Sequence, residues 1–427
     1  MGRLLTVLFV GCLHLASTGV CAYEVTGSDH TLDLNFHLDL IDTSSTLSAW
    51  PGGGTGKLRY DGSDSFETSR VTLDYSGRLR PELWARVIVD YVGDGDEGLN
   101  IAEAFLTWRP VPRSSNRHQL RVGAMYPPFS YENTATGWTS PYTISFSAIN
   151  TWLGEEIRPV GVEWSMNRRV GDAGSPHRIN IFAAAFYGND PAATLLFWRG
   201  WSIHDRQTRF GDRLDMLPRP SLGGGPLQLT AQTVAPFKEL DSKPGFYAGI
   251  EWRFANRFRA HIGAWDNRAD PFAFDDQQWG WDTRFLSAGL QAELPGDVGL
   301  IAQWMHGDTG WIARALQDGT IAGEATVVVD DYDSAFILLT RKFGTKHRAS
   351  IRLETFTVDR PGSMFYPVSD DGDALTLAWR FSIRERFHTS LEWLQIDSAR
   401  DVWQYYGMPR SAREEMLRAQ LTIDLSL

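Results

Sequence analysis

The stretch "TLDLNFHLDL", Thr31–Leu40, decides the fold. Leu32, Leu34, Phe36, Leu38 and Leu40 take the even places, and Asp33, Asn35, His37 and Asp39 the odd ones. Strict alternation describes a β-strand with one apolar and one polar face. In a soluble sandwich the apolar face turns into a core and the polar face into water. In an outer-membrane barrel the apolar face meets lipid and the polar face a wet lumen. The rest of the chain chooses between the two.

The first residues, "MGRLLTVLFVGCLHLASTGVCA", have one positive charge (Arg3), an apolar run from Leu4 to about Ala16, and Val20 and Ala22 at the −3 and −1 places of a cleavage site. This predicts a signal peptide over 1–22 and a mature domain over 23–427. The rival, a lipoprotein leader, would need Cys12 after a very short apolar run, or Cys21, which follows Val20 rather than a small residue. Both cysteines lie in the leader, so the mature chain is expected to have no disulfide and no thiolate metal site. Without Arg3 it has 40 basic and 52 acidic residues, a net −12, which argues against nucleic acid as partner.

Beyond residue 22 no apolar run reaches the ~20 residues of a membrane helix, yet the chain has 17 Trp, 23 Phe and 13 Tyr at a mean hydropathy of −0.27. Lipid-facing strands that alternate produce this combination. Sixteen alternating segments are expected near 31–40, 67–76, 82–91, 100–109, 118–126, 158–167, 177–187, 245–254, 257–266, 282–293, 297–306, 332–342, 347–358, 373–382, 386–396 and 414–427. Short turns such as "SGRLRPE", "ANR", "LPGD" and "FGTKH" alternate with long, acidic and aromatic connections. Short turns on one rim and long loops on the other describe a bacterial outer-membrane barrel with the long loops extracellular. Segment 188–244 is longer than an ordinary loop, and "LQLTAQTV" (Leu227–Val234) alternates, so an extra hairpin and eighteen strands stay open.

The apolar register places Trp108, Trp164, Trp252 and Trp379 near one rim and Trp304 and Trp393 near the other, as two interfacial girdles. The last strand, "RAQLTIDLSL", is apolar at alternate places like the closing strand read by the barrel-assembly machinery. It ends on Leu427 where that signal is usually aromatic.

The polar register collects charges of both signs. Arg70, Arg86, Arg121, Arg178, Arg253, Arg259, Arg352, Arg380 and Arg418 face Asp33, Asp39, Asp74, Asp90, Glu103, Glu163, Glu251, Glu354, Glu392 and Asp424. Ionised groups in such number predict a hydrated pore wall rather than a dry core. The opposed charges would set a transverse field for polar solutes; the plainer alternative is a salt-bridged wall that selects nothing.

Segment 127–157, "PPFSYENTATGWTSPYTISFSAINTWLGEEI", is too long for a hairpin and too apolar to float in water. Phe129, Tyr131, Trp138, Tyr142, Phe146 and Trp152 need a surface, and folding inward to constrict the pore supplies one. "VGAMYPPFSYEN" (Val122–Asn133) followed by "NTWLGEEIRPVGVEW" (Asn150–Trp164) resembles the phosphate-selective porin O/P family. The resemblance implies sixteen strands, a trimer and a third loop that constricts the channel. It does not carry anion selectivity with it. Only five lysines occur (Lys57, Lys238, Lys243, Lys342 and Lys346), and acids interleave the arginines.

In "FWRGWSIHDRQTRFGDR" (Phe197–Arg213), Ser202, His204 and Asp205 have the residue types of a catalytic triad, but neighbours in one segment cannot adopt that geometry alone. Trp198, Trp201, Arg206 and Arg209 suit a ligand-contacting or plugging loop better. "GDGDEG" (Gly93–Gly98), "DDYD" (Asp330–Asp333) and "SDDGD" (Ser369–Asp373) read as solvated turns at outer-loop ends, without full calcium-loop spacing. No cofactor and no metal are expected. The sequence therefore predicts an outer-membrane porin passing small hydrophilic solutes or ions, a homotrimer in contact with lipid and lipopolysaccharide. The alternatives are a plugged receptor or adhesin barrel and a lipid-hydrolysing barrel enzyme.

Overall fold

The computed structural model describes residues 29–93, 98–172, 174–219, 230–317, 320–359 and 369–426. The leader expected over 1–22, the terminal Leu427 and most of "GDGDEG" lie outside the described residues. Sixteen antiparallel strands close into one barrel. They are β1 (His30–Thr43), β2 (Phe66–Arg80), β3 (Leu83–Val92), β4 (Asn100–Trp108), β5 (Asn116–Ala124), β6 (Val160–Arg169), β7 (His177–Tyr187) and β8 (Gly245–Phe254). There follow β9 (Phe258–Asp266), β10 (Asp282–Leu294), β11 (Val298–Gln317), β12 (Thr320–Phe343), β13 (His347–Asp359), β14 (Asp370–Arg384), β15 (Phe387–Arg400) and β16 (Ser411–Ser426). The seam joins β1 to β16 and sets Leu34 against Leu425 and Asp39 against Gln420.

Each expected segment overlaps one strand. Thr233–Val234, at the end of "LQLTAQTV", pairs with Leu214–Asp215 in a two-stranded ribbon inside the long connection rather than in the wall. The wall has sixteen strands, not eighteen. The 307–331 connection is the main departure: β11 and β12 run for 20 and 24 residues and pair far beyond their neighbours. "DDYD" is therefore part of β12, and most of "SDDGD" opens β14. Neither is a loop end.

The alternation reads out as expected on the outside. Leu353, Ile262 and Ile337 are each more than half exposed, and Trp108, Trp164, Trp252, Trp379 and Trp304 also face outward. Trp393 pairs beside Leu377, one row from Trp379, so it joins that girdle rather than the opposite one. No helix among the described residues is long and apolar enough to cross a membrane, and each of the sixteen strands pairs with a neighbour on both sides in a closed wall.

Inside, the barrel is not uniformly polar. Phe182, Phe186, Tyr247, Trp265, Phe285, Tyr332 and Phe336 line one side of the lumen and form the main buried cluster with Phe129, Ile149, Trp152 and Leu153. The clue lay in strands where alternation fails. In "HRINIFAAAFY" (His177–Tyr187) the polar register itself holds Phe182 and Phe186. An aromatic on the inner face needs an apolar partner inside, and segment 125–159 is that partner.

Candidate permeation path

Three inserts enter the lumen from the long-loop end: 44–65, 125–159 and the described part of 188–244. Within the second, α1 (Ala148–Glu156) starts at Ser147, whose side chain accepts the Asn150 N–H, a normal N-cap. Trp152, on α1, packs edge-on against Phe285, Tyr332 and Trp201. Phe129 meets Phe182, Tyr247 and Phe285 in the same way. Gly263 makes that possible, since a Cβ there would lie 2.5 Å from the Phe129 ring. Trp138 stacks on Tyr126 at 4.0 Å. Tyr131 donates to Glu251 at 2.9 Å and lies under the Arg259 guanidinium, and Tyr142 lies beneath Arg348. Phe146 is buried edge-on to Trp138, so all six aromatic side chains expected to fold inward lie inside the wall.

Polar groups fasten the same insert. Arg352 is fully buried, pairs with Glu132 at 2.7 Å and Glu354 at 2.8 Å, and donates to the carbonyls of Ser145 and Phe146. Glu354 accepts the Ala148 N–H, and Glu392 accepts those of Ile144 and Ser145. Carboxylates from the wall thus satisfy backbone donors that a dry interior would otherwise leave orphaned.

Nearby, Asp205 of the third insert takes Arg59 and Arg418 at 3.0 Å each, and Arg418 also pairs with Asp39 at 2.6 Å. Burial alone would push the Asp205 carboxyl up, but the two guanidiniums hold it well below the usual carboxylate range. Lys57 is fully buried, donating to Asp370 and to the Trp201 carbonyl; burial outweighs Asp370 and lowers its ammonium to about 8. Glu156 is the opposite case. Burial pushes its carboxyl up to about 8, although the N–H groups of Leu195 and Leu196 and the Trp152 indole favour the charged form.

The inward charges expected to line a pore thus divide into two groups. Arg352, Arg418, Glu354, Asp90 and Glu103 are buried beneath the inserts. They do not line water, because carbonyls, carboxylates and N–H groups of the inserts replaced it. Asp90 holds Arg70, and Glu103 accepts the Tyr126 N–H. Arg86, Arg121, Arg178, Arg253, Arg259 and Arg380 face the short-turn half instead. Three of these are neutralised: Arg86 by Asp74, Arg121 by Glu163 and Arg253 by Glu251. Arg259 bonds the Gln291 amide and Arg380 the Ser140 carbonyl. On this side the lumen widens into a chamber of about 770 Å³ walled by Arg109, Arg117, Arg121, Arg178, Arg253 and Glu163 among others. Among the described residues, Arg117 and Arg178 have no carboxylate at ion-pair distance.

Ser202, His204 and Asp205 do not form a triad. Asp205 is committed to the two arginines, while the His204 Nε2 faces both Ser202 Oγ at 3.2 Å and Glu155 at 3.1 Å. Its Nδ1 accepts the Arg206 N–H, which places the proton on Nε2, so the ring has no lone pair toward the serine. Asp190, Glu239 and Asp241 bring carboxylate oxygens within 4.8 Å of one another. These accept the N–H groups of Leu240, Gly188, Ser242 and Asp270 and close the third insert's base.

Sequence reading missed insert 44–65 and residues Glu132, Glu155, Glu156 and Arg158. Its only signal was Trp50, Lys57, Arg59 and Tyr60 in an otherwise Gly- and Ser-rich loop.

No protein-family model matches the chain, and no curated protein matches it. Solved structures do match in fold. One is the outer membrane channel DcaP of Acinetobacter baumannii, 10% identical, covering 93% of this chain and 96% of that one at a TM-score of 0.53. Another is an anion-selective porin from Comamonas acidovorans, 11% identical, covering 93% and 99% at a TM-score of 0.50. The likeness is one of architecture: a sixteen-stranded barrel of the outer-membrane porin type.

Proposed function

We propose that this chain is an outer-membrane porin that lets small hydrophilic solutes or ions diffuse through a constricted lumen. The observation that carries the reading is the short-turn chamber, an open space walled by charged side chains inside a closed wall whose outside is apolar. Solutes would pass the inserts beside the Arg86–Asp74 and Arg121–Glu163 pairs. Most arginines of the wall are neutralised, so no strong ladder of positive charge runs the length of the barrel. The excess over Arg117, Arg178, Arg259 and Arg380 favours small anions modestly, which is as far as the resemblance to phosphate-selective porins extends.

Planar-bilayer recording tests this directly. The expected result is stable small steps with a reversal potential in a salt gradient on the anion side. Steps with cation preference would overturn the selectivity and leave the porin reading standing. A second reading has its own support, because the long-loop half is packed with buried side chains such as Trp50, Lys57, Arg199 and Arg209. A barrel sealed by them would act as a surface receptor, and membranes that stay silent would favour it. The porin reading also includes a homotrimer contacting lipid and lipopolysaccharide, testable by cross-linking in native membranes.

A further inference from the structure

We propose that the outer wall has a specific phospholipid site at the short-turn end of β12–β14, with Arg341 holding the lipid phosphate. A groove of about 540 Å³ runs along the lipid-facing surface of β11–β16. Its deeper row is apolar, with Leu339 opposite Ile351 and Ile351 opposite Leu377. The next row toward the short turns sets Arg341 opposite Ala349 and Ala349 opposite Trp379. The small Ala349 between two large side chains makes the depression, wide enough for an acyl chain.

The cation is what identifies the occupant. Arg341 lies two residues before β12 ends at Phe343 and is exposed on the lipid-facing register. Its guanidinium stands 5.1 Å from the Phe343 ring, and no carboxylate lies at ion-pair distance among the described residues. Outward-facing arginines at the opposite end are treated differently: Arg284 pairs with Asp308 and Arg413 with Asp397. A solitary guanidinium at an interfacial girdle, above an apolar trough that points toward the midplane, matches a glycerophospholipid of the periplasmic leaflet. The phosphate takes the fork of N–H donors, Trp379 flanks the ester region, and one chain fills the trough.

The site requires only that the wall spans a membrane. It is independent of whether the lumen conducts, so silent bilayers would leave it untouched. Native mass spectrometry of the detergent-solubilised full chain with added palmitoyl-oleoyl-phosphatidylglycerol tests it. One lipid should stay bound at activation energies that strip the rest. Both Arg341→Gln, which removes the cation, and Ala349→Leu, which fills the trough, should lower that retained fraction at least tenfold, with unchanged heat-modifiable gel migration. Diacylglycerol should not be retained, and excess inorganic phosphate should not displace the lipid. Equal retention by all three chains overturns the site. So does efficient cross-linking between copies through Leu377→Cys in membranes, which would make the groove a contact between protomers.

Discussion

The two halves of this lumen are built from the same alternating strands yet have become different materials. Toward the long loops, charged groups are buried in pairs and threes against the inserts, as in Arg352 with Glu132 and Glu354. Toward the short turns, arginines such as Arg117 and Arg178 are exposed around an open chamber. The contrast shows that a register of inward charges is not itself a pore. What decides is whether another segment of the chain supplies the polar partners that water would otherwise provide.

The contrast can be broken most forcefully at Arg352. Replacing it by Ala leaves Glu132 and Glu354 buried with their cation removed, a loss of about 3–5 kcal/mol. Thermal unfolding should fall sharply and conductance become large and noisy as the 125–159 insert comes loose. Phe129→Ala removes an aromatic anchor of the same insert and should cost about 3 kcal/mol, with Gly263→Leu giving a similar loss by occupying the ring's place. Either chain retaining wild-type stability would mean that the insert is not held by this cluster.

A smaller effect is expected from pH. The Glu156 carboxyl, raised by burial to about 8, binds its proton more tightly in the folded chain than in the unfolded one. Its contribution to stability is therefore complete below about 4.5 and fades as pH rises through 8. Glu156→Gln should flatten the melting-temperature profile across that window; an unchanged profile would remove Glu156 as its source. The smallest structural effects belong to the wet half. Arg86→Ala removes the partly exposed partner of the buried Asp74, a loss of about 1–3 kcal/mol, and Arg178→Ala breaks no ion pair. Both should assemble normally, and both should move the reversal potential toward cations. If Arg178→Ala unfolded the barrel, the two halves would not differ as described.

How much of this was legible follows from the same physics. Lipid imposes a period of two on any strand that faces it, so Leu34, Val87 and Ile250 announced the wall and its sixteen strands. Nothing comparable disciplines the interior. Phe182 and Phe186 sit in the polar register because a distant segment covers them, and sequence spacing does not show which segment that is. For the same reason the aromatic residues of 127–157 could be recognised as needing a surface, whereas Lys57 and Arg59 could not be matched to Asp370 and Asp205. The length of β11 and β12 was hidden because "GWIARALQ" (Gly310–Gln317) and "TIAGEATVVV" (Thr320–Val329) lack the strict alternation of the other segments.

The clasp at the seam ties three distant parts of the chain to one another. Asp39 belongs to the first strand, Arg418 to the last, and Asp205 to an insert lying between them inside the cylinder. The insert reaches the lumen over the long-loop rim, so it can be seated before or after first and last strands zip. In either order, the carboxylate–guanidinium contacts are complete only when first strand, last strand and insert are all in place, so the clasp couples closure of the cylinder to seating of the plug.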